Sequence, residues 1–497
     1  MGSFKKSLAY TLLFLALGYA QDGMDEGFDL PELPPPAPVQ PAPISSDSAE
    51  GFSNTPIAAE SVSTEPATVA PAQQPAAPAK KEVYAPAQQQ VVPAPQQKAT
   101  EQQPTAPAQE YTAEQAQVPA SAAPANSNAV VKKIPDNLNR DVRVAVFLNV
   151  PTLFVKVGGE EIKITAVGNQ LTIKGKDNSE TVENREIYSE GRCLNIAETQ
   201  KKLSTSCYPG YFFIKASNSK ITAINMVNVE DYIRGVIPYE IGKLDSTRFE
   251  ALKAQAVATR TYVYKHFGTR DAMGFDVFAD TRDQVYNGYR SATPLTDAAV
   301  KATEGEVLTY NGAFIVAYYH STCGGQTETM VTWEKKNFPY LKSSPDLRPN
   351  GQPWCNESKF ATWEKKFSEK ELVTLFQKNG KEAKATVPKF KKVRDIAIRK
   401  KLPSGRIYTL QVLTDKGTFN VTGDKVRWLF KKNGTILPSS LFSVHHEGKN
   451  WVLKGKGYGH GVGLCQMGVR ERAHAGQGYF EILSHYYPGV TLERFER

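Results

Sequence analysis

Residues 227–266 read VNVEDYIRGVIPYEIGKLDSTRFEALKAQAVATRTYVYKH, and the fold turns on how this stretch divides. Its first half is rich in β-branched residues and reads as an extended run that climbs to Ile237, Pro238, Tyr239 and Glu240. A turn follows, then an alanine-rich helix over residues 248–267, its start capped by Ser246 or Thr247. Alanines at 251, 254, 256 and 258 permit close backbone packing on that helix. Glu240 lies between Pro238, whose ring fixes φ, and Gly242, which tolerates unusual angles, so its carboxyl is held at a defined bend. The apolar neighbours Val236, Ile237, Tyr239 and Ile241 disfavour the charged form and raise its pKa. An acid still protonated near neutral pH suits general acid catalysis on a glycosidic oxygen. The plain alternative is a structural glutamate bonded to a backbone amide at a turn.

Upstream, VRVAVFL from Val142, then LFVKV, IKITAV and LTIKG, predict a small β-rich lead-in over about 142–222. Residues 211–214 and 221–229 extend that sheet toward Glu240. Downstream come loops around 280–289, a helix near 294–303, strands GEVLTY and FIVAYYHST, and a helix over 360–380. RIYTLQVLTDKGTFNVTGDKVRWLF predicts a β-hairpin and a short helix, and the chain closes with a glycine-rich turn, a helix and the aromatic run 479–487. The pattern is α+β, divided as a core at about 223–345 and a C-terminal part at about 346–497.

The first 134 residues read differently. Residues 1–20 combine Lys5 and Lys6, a short apolar run and small residues ending at Ala20, the pattern of a cleavable secretory signal. No cysteine precedes Cys193, which excludes a lipid-modified mature N-terminus, and no later segment has the roughly 18 apolar residues of a membrane helix. Residues 21–134 are dominated by Pro, Ala, Gln, Ser and Thr and predict a disordered tether. Thirteen acidic and five basic residues give that tether a net charge of −8; with +2 on the signal, a chain total of +9 leaves +15 on residues 135–497. A basic face attracts nucleic acid or other polyanions, and export points to anionic envelope polymers rather than nucleic acid.

Several residues in the folded part carry chemistry. Gln255, Thr259 and Tyr262 share one helical face and Lys253 and Arg260 another, two polar stripes that would line a cleft or, more plainly, face solvent. His320 and Ser321 end an apolar strand and precede Cys323, Gly324 and Gly325. The loop GKGYGHGVGLCQMG, residues 455–468, fails the phosphate-loop pattern because no GK[ST] follows, and brings His460 and Gln466 to a sugar site instead. Of the five cysteines, Cys193 and Cys207 could close a small loop worth about 3 kcal/mol. Cys323 and Cys355 could form a second disulfide, leaving Cys465 odd, or join His320 in a zinc site that falls short of four ligands.

Taken in order, VNVEDYIRGVIPYEIG, FEALKAQAVATRTYVY, YYHSTCGGQTE and GYGHGVGLCQMG resemble the stage II sporulation protein D family, which includes amidase enhancers. The resemblance runs from about residue 142 to 492 and implies the family's own fold, helices and β-structure around a long substrate cleft. It implies a lytic transglycosylase acting on peptidoglycan glycan strands, with Glu240 as the catalytic acid; no cofactor is expected, with zinc as the alternative. Two positions depart from the family pattern. Ile241 stands where a methionine usually follows the glutamate, an apolar exchange of little consequence. Some members bind zinc in the region matching His320 to Cys355, and here His320, Cys323 and Cys355 are the only evident ligands. On this reading the protein is secreted or periplasmic, is wall-associated, and has a cell-wall amidase as possible partner. A non-catalytic amidase enhancer that binds glycan is the alternative, and a tethered structural protein that grips the wall by charge is a third. Asp231, Asp280 and Asp283 stand as possible second carboxylates for a true hydrolase.

Overall fold

The computed structural model describes residues 130–189 and 191–496, all within one compact unit; the signal and nearly all of the tether lie outside the described residues. The architecture is mixed α+β. Two five-stranded sheets open the described chain. One is a meander of Thr152–Val157, Glu160–Val167, Gln170–Lys174 and Ser179–Val182, closed on its far edge by Asn195–Ala197. The other sets Lys220–Val227 between Val142–Val150 and Tyr211–Ser217, both antiparallel to it. Alternate residues of the second sheet (Val142, Val144, Phe212, Ile214, Ile221, Ala223) are buried in the main core, while Ala145 and Ile224 pack with Phe275 in a small separate cluster. Cys193 and Cys207 are joined, tying the 195–197 strand to the loop before Tyr211.

The run approaching Glu240 is not extended. The strand stops at Val227, and Val229–Glu240 is a helix. Asn228 caps it, accepting from the Glu230 amide at 2.8 Å, and Glu230 and Asp231 lie in the first turn, where the helix dipole favours negative charge. Pro238 falls in the last turn, and the helix ends immediately after Glu240, with Gly242 in the left-handed region at φ +86°. Amphipathic periodicity decides the outcome over β-branching: Tyr232, Ile233, Val236 and Ile237 form one buried face. Gly235 on the same helix lets the Tyr286 ring lie against it, since a Cβ there would come within 2.4 Å of that ring.

The alanine helix spans Phe249–His266. Its cap differs from expectation: Asp245 accepts from the Thr247 amide and starts a short 3-10 turn, so neither Ser246 nor Thr247 caps the helix itself. All of residues 251–264 are buried, because the helix is surrounded by the Val229–Glu240, Pro294–Ala302, Gln466–His474 and Tyr479–Tyr486 helices and the Glu306–Tyr310 strand. FIVAYYHST is not one strand; it breaks into the short strands Ala313–Phe314 and Tyr319–His320 and a single bridge from Thr322 to Tyr458. The predicted helix at 360–380 is likewise a strand, Trp363–Ser368, followed by the helix Glu369–Asn379.

Residues 363–455 build a second core of their own. Phe367, Leu372, Phe376, Leu410, Val412, Phe419, Leu429 and Trp451 fill the space between two three-stranded sheets and the Glu369–Asn379 and Lys425–Leu429 helices. The hairpin Ile407–Thr414 and Gly417–Thr422 and its short helix stand where the pattern put them. The chain then returns to the main core through Leu464, Val469, Ile482 and Leu492, and among the described residues no helix is long and apolar enough to cross a membrane.

Candidate active site

The residues around Glu240 arrive from four separate stretches of chain. Glu240 is the last residue of its helix and is 4% exposed. Its Oε1 accepts from the Val285 amide at 2.7 Å, and its Oε2 accepts from the Gln466 side-chain amide at 3.4 Å. Gln466 is placed by strand pairing. Tyr319–His320 runs parallel to Leu464–Cys465, matching Tyr319 with Leu464 and His320 with Cys465, so the YYHSTCGG and GHGVGLCQ segments lie side by side. Gln466 then opens the helix Gln466–His474, with the Cys465 sulfur accepting from the Gly468 amide as its cap.

Burial pushes the Glu240 carboxyl up from the ordinary 4.5 to about 7, against hydrogen bonds from the Val285 amide, the Gln466 amide and the Tyr319 hydroxyl, which favour the anion. Behind the carboxyl runs a buried relay: Tyr232 donates to Gln284 at 3.1 Å, and Gln284 donates to the Tyr319 oxygen at 3.0 Å. Tyr232, Gln284, Val285 and Tyr319 were not legible as site residues. Only the apolar strand before His320 hinted at Tyr319, and nothing local marks the 284–285 loop.

The helix residues expected at the site are spent elsewhere. Lys253 is buried, paired with Glu250 and set over the Tyr479 ring. Arg260 is buried, with Nη2 2.6 Å from Glu230 and Nη1 donating to the Glu306 carbonyl. Tyr262 donates to Asp283 at 2.8 Å, and the Gln255 amide donates to Thr259. These contacts hold helices and strands together; the structure does not bring any of the four to the Glu240 carboxyl, and the polar stripes face protein rather than a cleft.

The second carboxylates are similarly engaged. Asp283 takes bonds from Tyr262, Arg270 and the Phe278 amide, Asp280 pairs with Arg282, and Asp231 pairs with Arg234.

His320 and His460 are both fully buried, their rings 5.5 Å apart, and burial pushes each pKa well down so that both are neutral. His320 Nδ1 is bonded to the Val462 carbonyl and His460 Nδ1 accepts from the Val462 amide, leaving each Nε2 without a hydrogen-bond partner. Ser321 is half-buried and bonds Thr322. The glycine loop approaches protein, not open space: at Gly461, φ +87°, a Cβ would meet the Arg406 guanidinium at 2.3 Å.

Cys323, Cys355 and Cys465 are free and buried, their sulfurs all within 4.8 Å of one another. The expected Cys323–Cys355 disulfide is therefore absent, with those sulfurs 3.5 Å apart, and Cys465 is not odd but part of the group. Burial raises the Cys323 and Cys465 thiols, while hydrogen bonding from Cys323 and Cys465 holds Cys355 well below the usual thiol range. The three sulfurs suit a soft divalent metal, but the anticipated ligand His320 is not in the group. A nearby carboxylate, Asp346, lies 3.3 Å from the Cys323 sulfur yet is already held by Arg472, Tyr486 and His485. The donor set thus offers three ligands of the usual four.

Comparison with known proteins bears on these segments directly. Residues 217–310 match the family model Stage II sporulation protein, and residues 351–463 match a domain of unknown function, DUF8618. An uncharacterised protein of Brachyspira hyodysenteriae is 30% identical over 314 residues, covering 63% of this chain and 78% of that protein. The Amidase enhancer of Bacillus subtilis is 33% identical over 298 residues, covering 53% of this chain and 40% of that protein. Stage II sporulation protein D of Bacillus amyloliquefaciens is 28% identical over 314 residues, covering 60% of this chain and 81% of that protein. With the family model matched across the helix that ends in Glu240 and relatives of that name at this likeness, the chain belongs to the stage II sporulation protein D and amidase enhancer family.

Proposed function

We propose that the protein acts on the cell wall as a lytic transglycosylase, cleaving the bond after MurNAc in peptidoglycan glycan strands with Glu240 as its acid and base. The observation that carries this reading is a buried carboxyl raised to about 7 by that burial and held by amides and a hydroxyl, while Asp231, Asp280 and Asp283 are tied into other pairs. Ordinary glycosidases need two carboxyl groups. A transglycosylase needs one, because the C6 hydroxyl of the muramic acid is the nucleophile. Protonated Glu240 gives its proton to the departing oxygen, then takes the C6 hydroxyl proton, and a 1,6-anhydro end results. Intramolecular attack benefits from high effective molarity, which removes the demand for a second group to activate water. Gln466, Tyr319 and the Val285 amide aim the carboxyl and stabilise the anion left after proton transfer.

On this reading the glycan must reach Glu240 and Gln466, which the pairing of Tyr319–His320 with Leu464–Cys465 sets side by side; His320 and His460 are fully buried and support that pairing from within. Export and wall association agree with the Cys193–Cys207 disulfide, a bond of oxidising compartments. A second reading, a non-catalytic glycan-binding partner of an amidase, draws on the low exposure of Glu240 and on the name of the Bacillus subtilis relative. Incubating purified sacculi with native and Glu240→Gln protein separates the two: cleavage by the native protein alone supports catalysis, and equal results from both support the binding role.

A further inference from the structure

The excess positive charge of the folded chain is not spread over it. Residues 351–463 hold twenty-three Lys and Arg against nine Asp and Glu, a net of +14 out of the +15 on residues 135–497. The rest of that region is almost neutral. Residues 363–455, which build the second core, hold twenty-one of those cations and eight of the acids, so nearly all of the charge belongs to one structural module.

Within the module the charge has a direction. Residues 389–401, KFKKVRDIAIRKK, carry seven cations and one acid, and all seven (Lys389, Lys391, Lys392, Arg394, Arg399, Lys400, Lys401) are exposed. Most of this run is the strand Val393–Lys401, at the edge of its sheet: it pairs with Ile407–Thr414 on one side and with no strand on the other. Nine strand residues extend about 30 Å, so the cations form a line rather than a cluster. Arg399 leans on Gln411, and Lys400 lies over the Tyr408 ring. Among the described residues no carboxylate forms a salt bridge with the side chains of the others; Asp415 accepts only from the Lys391 and Lys392 backbone amides.

A charged edge protects a sheet from pairing with another chain, and one or two lysines suffice for that. Seven, in a module of +14, exceed the need and add self-repulsion that weakens the fold. Such a line stabilises the molecule only when an extended polyanion lies along it.

We propose that the 351–463 module is a polyanion-binding module, with residues 389–401 as its contact strip, and that its partner is a linear phosphate-bearing polymer attached to the cell wall. The choice among polyanions follows from compartment, and to that extent rests on the wall-directed reading above. The Cys193–Cys207 disulfide places the chain where nucleic acid is not the resident polyanion. The strip itself is dominated by lysine and has no aromatic among its exposed residues, so it offers point charges without the stacking platforms that single-stranded nucleic acid uses.

The test measures binding of the full chain to phosphate-bearing sacculi and to the same sacculi stripped of phosphate polymer. The strip variant replaces Lys391, Lys392, Arg394, Arg399, Lys400 and Lys401 by glutamine; a control variant replaces the exposed Lys156, Lys163, Lys174, Lys176, Lys201 and Lys220 by glutamine. Native protein should bind phosphate-bearing sacculi at least tenfold more tightly than stripped ones. Six neutralised charges should make that affinity fall on the order of a few hundredfold between 50 and 200 mM salt. The strip variant should lose most of the tenfold preference and of the salt dependence, with a native circular dichroism spectrum, while the control variant and Glu240→Gln bind as native protein does. Unchanged binding in the strip variant, equal loss in the control variant, or no difference between the two kinds of sacculi would overturn the proposal. Tighter binding to a single-stranded oligonucleotide or to anionic lipid vesicles than to phosphate-bearing sacculi would overturn the choice of partner. Loss of cleavage without loss of binding in Glu240→Gln keeps this result separate from the catalytic one.

Discussion

Replacing Glu240 by glutamine removes one titratable proton from a buried site while keeping the side chain's shape, and the consequence for stability has a defined sign. Folding raises this carboxyl from 4.5 to about 7. Below pH 4.5 the folded and unfolded chains both hold the proton, and the group contributes nothing. Between pH 4.5 and 7 only the unfolded chain ionises, so native stability falls as pH rises. Above pH 7 the full penalty stands, about 3 kcal/mol at 1.36 kcal/mol for each pKa unit. Glutamine never ionises, and its carbonyl can still accept from the Val285 amide. Its NH2 group then faces the Gln466 NH2, donor against donor, so the Gln466 bond is lost or the Gln466 amide must turn over, a cost of about 1 kcal/mol that does not depend on pH. Glu240→Gln should therefore be slightly less stable than native protein at pH 4, and more stable by about 2 kcal/mol at pH 8. Urea unfolding of both proteins at half-unit intervals from pH 4 to 9 gives the difference directly. A difference that stays constant across this range, or a variant that loses stability as pH rises, would refute the claim that burial holds this carboxyl protonated.

Three further expectations follow from single contacts. Arg260→Met leaves Glu230 without its partner beside a buried helix and should cost about 3 to 5 kcal/mol, seen as a lower urea midpoint, with the KM for glycan unchanged. Gly235→Ala drives a Cβ to within 2.4 Å of the Tyr286 ring and should cost about 1 to 3 kcal/mol; because Tyr286 adjoins Val285, it should also lower cleavage more than the stability loss explains. Denatured without reductant and treated with a thiol reagent, the chain should show three reactive cysteines and one disulfide, whereas a single reactive cysteine would mean that two of Cys323, Cys355 and Cys465 are joined.

Glu240 was legible from its own neighbourhood because its sequence neighbours Val236, Ile237 and Ile241 are apolar and buried, and carry it inward with them. The conformation carrying it was harder to read. The β-branched run before Pro238 favours an extended chain, and the opposing signals were the cap Asn228, the acids Glu230 and Asp231, and the buried spacing of Tyr232, Ile233, Val236 and Ile237. The alanine helix was read within a residue or so at each end, but its polar residues were misplaced. Lys253, Arg260 and Tyr262 look like a solvent or ligand face in one dimension, yet each meets a partner, Glu250, Glu230 or Asp283, that satisfies it inside the protein. The partners of Glu240 itself lie 45 and 226 residues away, and local sequence carries no record of such distances. The same holds for Cys465, which pairing of the Tyr319–His320 and Leu464–Cys465 strands brings to Cys323.

The central claim is that one buried acid cleaves glycan by serving an internal nucleophile, and its most direct test is the chemistry of the product. Purified phosphate-stripped sacculi, digested with native protein and with Glu240→Gln, are analysed by mass spectrometry of the released muropeptides and glycan ends. Native protein should release 1,6-anhydroMurNAc ends and the variant none. Reducing MurNAc ends would show hydrolysis through a second group, and anhydro ends from the Glu240→Gln protein would remove Glu240 from the mechanism.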